Sequence, residues 1–323
     1  MTMETELRKY REPEQLVLDF FIEQNVDGQR YSQSIDLYDA IPKYFWGKVI
    51  REEKGFLSSI SRPFIHRGTE YEVQIRPASI VKDGVEKYYY PGVREEIVED
   101  ALRKLATESR IKRIDKRLGL DFSVYELRKE LKKAGHSYNH TQITDALKVC
   151  SRTGLTLYRT KDKKIMVDQN MFPTLGIVEG QGRGGSDLVV VEFNSLVTRS
   201  IEQKTFRQIN YERSMKITNS LARWLHKRMS HNYRQAEAFH NSYDITLTTI
   251  IRDSGMTPYK RLGDSRKYVQ RGLEELKRLH VIYLYEEKPK KKGRKLENVT
   301  FILKPSLKFT DEMKRANAIM KST

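Results

Sequence analysis

From Asp264 to Lys304 the chain concentrates side chains able to grip a polyanion and to read the bases of a duplex. Val269, Leu273 and Leu276 recur at i, i+4 and i+7, which predicts a helix with one buried face. Arg266, Lys267, Gln270, Arg271, Glu274 and Arg278 fall on the opposite face. Arg, Lys and Gln are the side chains that reach base edges and phosphates in a major groove. The segments VIYLYEE and LENVTFIL then read as β-strands, and between them Lys288, Lys290, Lys291, Lys292, Arg294 and Lys295 run without an acid. Together they predict a helix that lies in a DNA groove and a β-hairpin wing that grips the phosphates beside it. The plainer reading is a basic surface loop after an amphipathic helix, but a solvated hairpin needs no such density of one sign.

Other chemistries lack their residues. No G-x-x-x-x-G-K-[ST] pattern is present, so nucleotide-driven melting by this chain is not expected. Metal-dependent strand nicking calls for a His-apolar-His pair beside a nucleophilic tyrosine, and none of the 7 histidines forms such a pair. His136 and His140 straddle a predicted turn with no third ligand in view, so neither a metal nor a cofactor is expected. The 18 tyrosines leave no single one marked as a nucleophile. Gly180, Gly182 and Gly185 spell G-x-G-x-x-G, yet a dinucleotide site needs a strand before the motif and a helix at its end, whereas the strand LVVVEF follows it. Binding rather than catalysis is the expectation, with a nicking enzyme as the rival from another class.

The elements that must position these residues belong to a chain of 323 residues, long enough for two domains and an extension. A formal charge of +17 makes nucleic acid the first partner to expect and an acidic membrane the second. No apolar run reaches eighteen residues and the N-terminal METELRKYREPEQ does not read as a signal peptide, so a cytoplasmic protein without a membrane partner is expected. The lone Cys150 excludes an internal disulfide and reads as core packing.

In chain order, residues 1–65 read as an N-terminal extension, with Trp46 and its neighbours as core. Within it Gln15, Leu16, Leu18 and Phe20 resemble the short linear peptide with which bacterial proteins bind the replication sliding clamp, Gln anchoring and the apolar residues filling a pocket. An amphipathic helix packed on its own domain fits the same residues. EYEVQIRPASIV and EKYYY alternate as strands around an Asp83-Gly84 turn, and Pro91 opens a helix toward Ser109 with Val93, Ile97, Ala101 and Leu105 inward. Ser123 with Glu126, and Asn139 with Gln142, are capping-box signatures that start two short helices separated by Gly135. The second carries Thr141, Gln142, Thr144 and Lys148 outward, and LTLYR and KIMVD follow as wing strands. The glycine-rich VEGQGRGGSD, at about 180–187, reads as an interdomain link; a long helix over RQINYERSMKITNSLARWLHKRMSH, a short one ending at Gly255 and a last one over FTDEMKRANAIM complete the set.

The halves repeat at offsets of about 120–126 residues: long helix, capped helix, exposed helix, wing. The expected fold is α+β: two tandem winged helix-turn-helix domains related by internal duplication (66–180 and 181–323), with the N-terminal extension. The duplication, with LVVVEFNSLVTRSI, SMKITNSLARWLHKRM and DSRKYVQRGLEELKRLHVI, resembles the replication initiator (Rep) proteins of iteron-containing, theta-replicating bacterial plasmids over about residues 69–307. That resemblance implies binding of repeated origin DNA, with Ser265, Arg266, Lys267, Gln270 and Arg271 as base or phosphate readers and Asn139, His140, Thr141 and Gln142 as auxiliary contacts. It also implies a homodimer through the first winged helix, and recruitment of the host sliding clamp, replicative helicase and initiator ATPase. The rival within DNA binding is a tandem winged-helix repressor of a plasmid or phage origin.

Overall fold

The computed structural model describes residues 31–46, 57–106, 111–114, 117–202, 206–233 and 242–322. Strand β1 (Tyr31–Ile35) and helix α1 (Asp36–Ala40) precede two hairpins, β2 (Ile60–His66) with β3 (Thr69–Arg76), and β4 (Ala78–Lys82) with β5 (Val85–Tyr89). The expected turn at Asp83-Gly84 joins β4 to β5, both residues having positive φ. Helix α2 (Val93–Leu105) is followed by β6 (Ile111–Ile114), β7 (Arg117–Ser123), α3 (Val124–Lys133), α4 (His140–Arg152), β8 (Gly154–Arg159) and β9 (Lys164–Asn170). Both predicted capping boxes are present: Ser123 and Asn139 each accept from the backbone three residues on, and Glu126 and Gln142 reach back.

The glycine-rich stretch forms the turn of a hairpin, β10 (Leu175–Val178) with β11 (Leu188–Glu192), instead of the expected interdomain link. β11 pairs with β7, and the Gly182 N–H donates to the Ser186 carbonyl at 2.6 Å, which closes the turn. A Cβ on Gly182 would lie 2.6 Å from that carbonyl, so the position has no room for a side chain.

Helix α5 (Ser195–Glu202) leads to β12 (Phe206–Asn210), which pairs antiparallel with β1. The single long helix expected here is divided into α6 (Tyr211–Lys216) and α7 (Ser220–Asn232). The division has two causes. Asn219 caps a new helix through its side-chain oxygen, and a distant carboxylate, Glu275, accepts from the Thr218 and Asn219 N–H groups, both at 2.9 Å. Strand β13 (Tyr243–Thr246), α8 (Leu247–Ser254), α9 (Leu262–Arg278), the hairpin β14 (Ile282–Lys292) with β15 (Lys295–Pro305), and α10 (Leu307–Ser322) complete the chain.

The result is an α+β fold of helices and small antiparallel sheets, each half running helix, strand, helix, helix, hairpin, in broad agreement with tandem winged helices. The halves differ in how that hairpin is joined: β13 pairs with β15, whereas β7 pairs with β6 and β11, and β3 covers β8. One apolar cluster gathers residues from Tyr38 to Met215, a second those from Ile217 to Met313, and Trp46 packs against both. Tyr38, Ile41, Tyr44 and Phe64 belong to the first cluster, so the described part of the expected extension is built into that half.

Charge joins the halves. Lys227 of α7 lies 3.1 Å from Glu96 and 2.8 Å from Asp100 of α2, all three buried. Arg103 of α2 pairs with Asp39 at 2.7 Å and with Glu99 at 2.7 Å, again buried. The Ile65 N–H of β2 donates to Asp253 of α8 at 3.0 Å.

Candidate nucleic-acid interface

Helix α9 is placed by its apolar face: Val269, Leu273 and Leu276 are fully buried in the second core. The N-terminal turn is fixed by Ser265, whose hydroxyl accepts the Tyr259 N–H at 3.1 Å. Ser265 is itself fully buried, four residues before Val269 on the same face. Ser265, which the resemblance made a reader, therefore lies off the outward face, and that face begins at Arg266 as expected. Gly272 faces the start of α7, where a Cβ would make ordinary contact with Ala222 and Asn219 at 3.5 Å.

Of the expected readers, Lys267 and Arg271 stand one turn apart and exposed. Arg266 and Gln270, also one turn apart, are engaged by a single carboxylate on the hairpin. Arg266 Nε donates to Glu287 Oε2 at 2.6 Å, its Nη2 pairs with the same oxygen, and Gln270 Nε2 donates to Glu287 Oε1 at 2.7 Å. Next along the interface, the Tyr285 hydroxyl donates to Glu274 at 2.9 Å. Burial, then the Glu274 carboxylate, pushes the Tyr285 hydroxyl up to about 12, so it stays a donor at neutral pH. Glu287 and Glu274 thus tie the helix to the hairpin.

The hairpin is longer than the sequence reading made it. Each strand has 11 residues, and Lys288, Lys290, Lys291 and Lys292 lie in β14 rather than in a loop. They pair with the ladder through Thr300, Asn298, Leu296 and Lys295, and Gly293, at φ 59°, turns the tip beside Arg294. All six basic residues are exposed, and Lys290 lies 3.9 Å from Glu297. Two cations that the sequence reading passed over, Lys260 and Arg261, line a cleft with Lys292 and Lys295 at the start of α9. In the sequence they belong to the YKR triplet that precedes Asp264.

The corresponding helix of the first half, α4, is differently committed. Asn139 and Gln142 spend their side-chain oxygens on the capping box, and His140 lies 3.0 Å from Asp187 of the glycine-rich turn. Thr144 donates to the His140 and Thr141 carbonyls, Thr141 is exposed, and Lys148 is half-buried. The β4–β5 hairpin lies over the helix, with Lys82 paired to Asp145, Arg152 donating to the Ser79 carbonyl at 2.8 Å, and Ala78 and Ile80 packed on Val149. His136 and His140 have different partners, the Nε2 of His136 lying 2.9 Å from the Met215 carbonyl. Among the described residues no group of three or more ligands could hold a metal ion, and no helix is long and apolar enough to cross a membrane. Gln15, Leu16, Leu18 and Phe20 lie outside the described residues.

No protein-family model matches the chain, and no curated protein matches it. Solved structures of similar shape include the Pi initiator protein in complex with iteron DNA, at 12% identity and a TM-score of 0.48, covering 66% of this chain and 91% of that one. Domains 2 and 3 of RctB are similar at 12% identity and a TM-score of 0.49, covering 82% of this chain and 95% of that one.

Proposed function

We propose that the chain is a plasmid replication initiator that binds directly repeated origin DNA through two duplicated winged helices. The observation that carries the reading is the second half's outward surface: Lys267 and Arg271 exposed on α9, Arg266 and Gln270 held in line beside them, and a long basic hairpin at their flank. In this reading α9 enters the major groove and reads bases, while Lys288, Lys290, Lys291, Lys292, Arg294 and Lys295 neutralise the adjoining phosphates. The plasmid assignment is supported by the resemblance of the LVVVEFNSLVTRSI, SMKITNSLARWLHKRM and DSRKYVQRGLEELKRLHVI segments to iteron-binding Rep proteins. The chain acts by binding in the bacterial cytoplasm, without bond breaking of its own. It destabilises an adjoining AT-rich segment and recruits the host sliding clamp, through Gln15, Leu16, Leu18 and Phe20, together with the helicase and initiator ATPase.

The test is Arg271→Ala on two duplexes, one carrying the preferred sequence and one random. Loss of a bidentate base contact should weaken the preferred duplex by about 1–3 kcal/mol and leave the random one little changed. Equal weakening of both would remove Arg271 as a base reader. Direct repeats beside an AT-rich stretch in the preferred DNA support initiation; a lone inverted repeat over a promoter supports the repressor reading. Strand cleavage in the presence of Mg²⁺ would overturn the binding-only assignment.

A further inference from the structure

Helix α3 sorts its charge by face. Val124, Leu127 and Leu131 are buried in the first core. The two acids of the helix are withdrawn: Glu126 closes the capping box and Glu130 is buried. Tyr125, Arg128, Lys129, Lys132 and Lys133 are left exposed at i, i+3, i+4, i+7 and i+8, one continuous stripe. At 1.5 Å per residue it runs about 12 Å along the helix. Among the described residues, none of its four cations has an ion-pair partner.

Such an arrangement works against the isolated fold. Arg128 with Lys132, and Lys129 with Lys133, are like charges one turn apart, which destabilises a helix. The helix dipole favours Lys132 and Lys133 in the last turn but does nothing for Arg128 and Lys129. The corresponding helix of the second half, α8, carries no stripe; its Arg252 is paired with Asp253 at 2.6 Å. The two halves therefore arrange their exposed positive charge differently: the second carries it on α9 and its hairpin, the first on α3 and at the β8–β9 turn, where Lys161, Lys163 and Lys164 are exposed. This matches the commitments of α4, which the β4–β5 hairpin covers and whose polar side chains serve its own cap. Beside the start of α3 sits the glycine-rich turn, with the Tyr125 N–H 3.4 Å from Ser186 Oγ and Arg183 exposed in the same turn.

We infer that the first half rests on duplex DNA through the α3 stripe, Arg128, Lys129, Lys132 and Lys133 contacting phosphates without regard to sequence. This rests on the reading that α9 and its hairpin hold the same duplex; α3 then fixes the orientation of the chain on it. The experiment uses the full chain with Arg128→Gln, Lys129→Gln, Lys132→Gln and Lys133→Gln combined, and measures affinity for a random-sequence duplex of about four 34-Å turns across a salt series. Each lost phosphate contact should lower the slope of log affinity against log salt by about 0.9, so the combined variant should lose up to roughly 3.6. An unchanged slope would overturn the inference, including in favour of an acidic protein partner for the stripe. A second variant, Lys290→Gln with Lys291→Gln and Lys292→Gln, separates the two claims: if it lowers the slope while the α3 variant does not, the α9 reading stands and the stripe fails. If the fourfold variant does not fold, Lys132→Gln with Lys133→Gln should show about half of the loss, and no loss would overturn the inference equally.

Discussion

Glu287 is the residue through which the two parts of the candidate reading head can be uncoupled. It is one carboxylate shared by Arg266 and Gln270, with its side chain only 11% exposed while that of Arg266 is 34% exposed. Planar Arg–carboxylate pairing fixes the guanidinium in orientation as well as position. Glu287→Gln keeps the shape, removes the charge and leaves one oxygen to serve two donors. As a partly solvated pair, its loss should alter folding stability by no more than about 1 kcal/mol. Its effect on recognition should be larger and of two signs. Random duplex should bind more tightly at low salt, because a negative charge leaves the surface proposed to meet phosphates, and Arg266, once released, can add about 0.9 to the salt slope. The preferred duplex should gain less or lose, because two aligned donors become mobile; misplacing one bidentate contact costs about 1–3 kcal/mol, so the ratio of preferred to random affinity should fall roughly 5- to 150-fold. The assay is competition binding with a duplex selected from a random pool by the unaltered chain. An unchanged ratio would refute the view that Glu287 aligns the readers.

Two further outcomes follow from buried charge. Lys227→Met removes the ammonium from Asp100 and leaves Glu96 with Arg223 at 3.7 Å, and should destabilise the chain by about 3–5 kcal/mol in denaturant titration. Burial alone would raise the Glu275 carboxyl, but the Thr218 and Asn219 N–H groups, the Thr218 hydroxyl and Arg278 hold it below its ordinary 4.5. A lowered folded value contributes stability that is present above the unfolded value, near 4.5, and is lost as pH falls through the folded one. Glu275→Gln should therefore lower the melting temperature at neutral pH, with the two melting curves converging on acidification; parallel curves would contradict the assignment.

What was legible in the sequence was local. Ser123 with Glu126 and Asn139 with Gln142 announce helix starts because cap and partner are three residues apart. The inward residues of α9 repeat at helical spacing for the same reason. The expected helix from Tyr211 onward broke because the carboxylate that captures its N–H groups, Glu275, lies 57 residues from Thr218. The interface ion pairs were hidden likewise, Lys227 meeting Glu96 at a separation of 131 residues and Asp100 at 127. At the candidate site, the run of lysines marked the hairpin, but nothing in the strand VIYLYEE marks Glu287 as the acid that the fold brings against Arg266. The glycine-rich turn misled through composition: glycines there serve a close backbone approach at Gly182 within a hairpin, which composition does not distinguish from a linker.

In the proposed function α9 and its hairpin hold duplex DNA, with α9 in the groove. Hydroxyl-radical footprinting on the selected duplex, with and without Lys267→Ala and Arg271→Ala, tests it most directly. Protection of the backbone over about two successive 34-Å turns, lost around one groove in the double variant, is the predicted result. A footprint that the double variant leaves intact, or no protection at low salt, would contradict it.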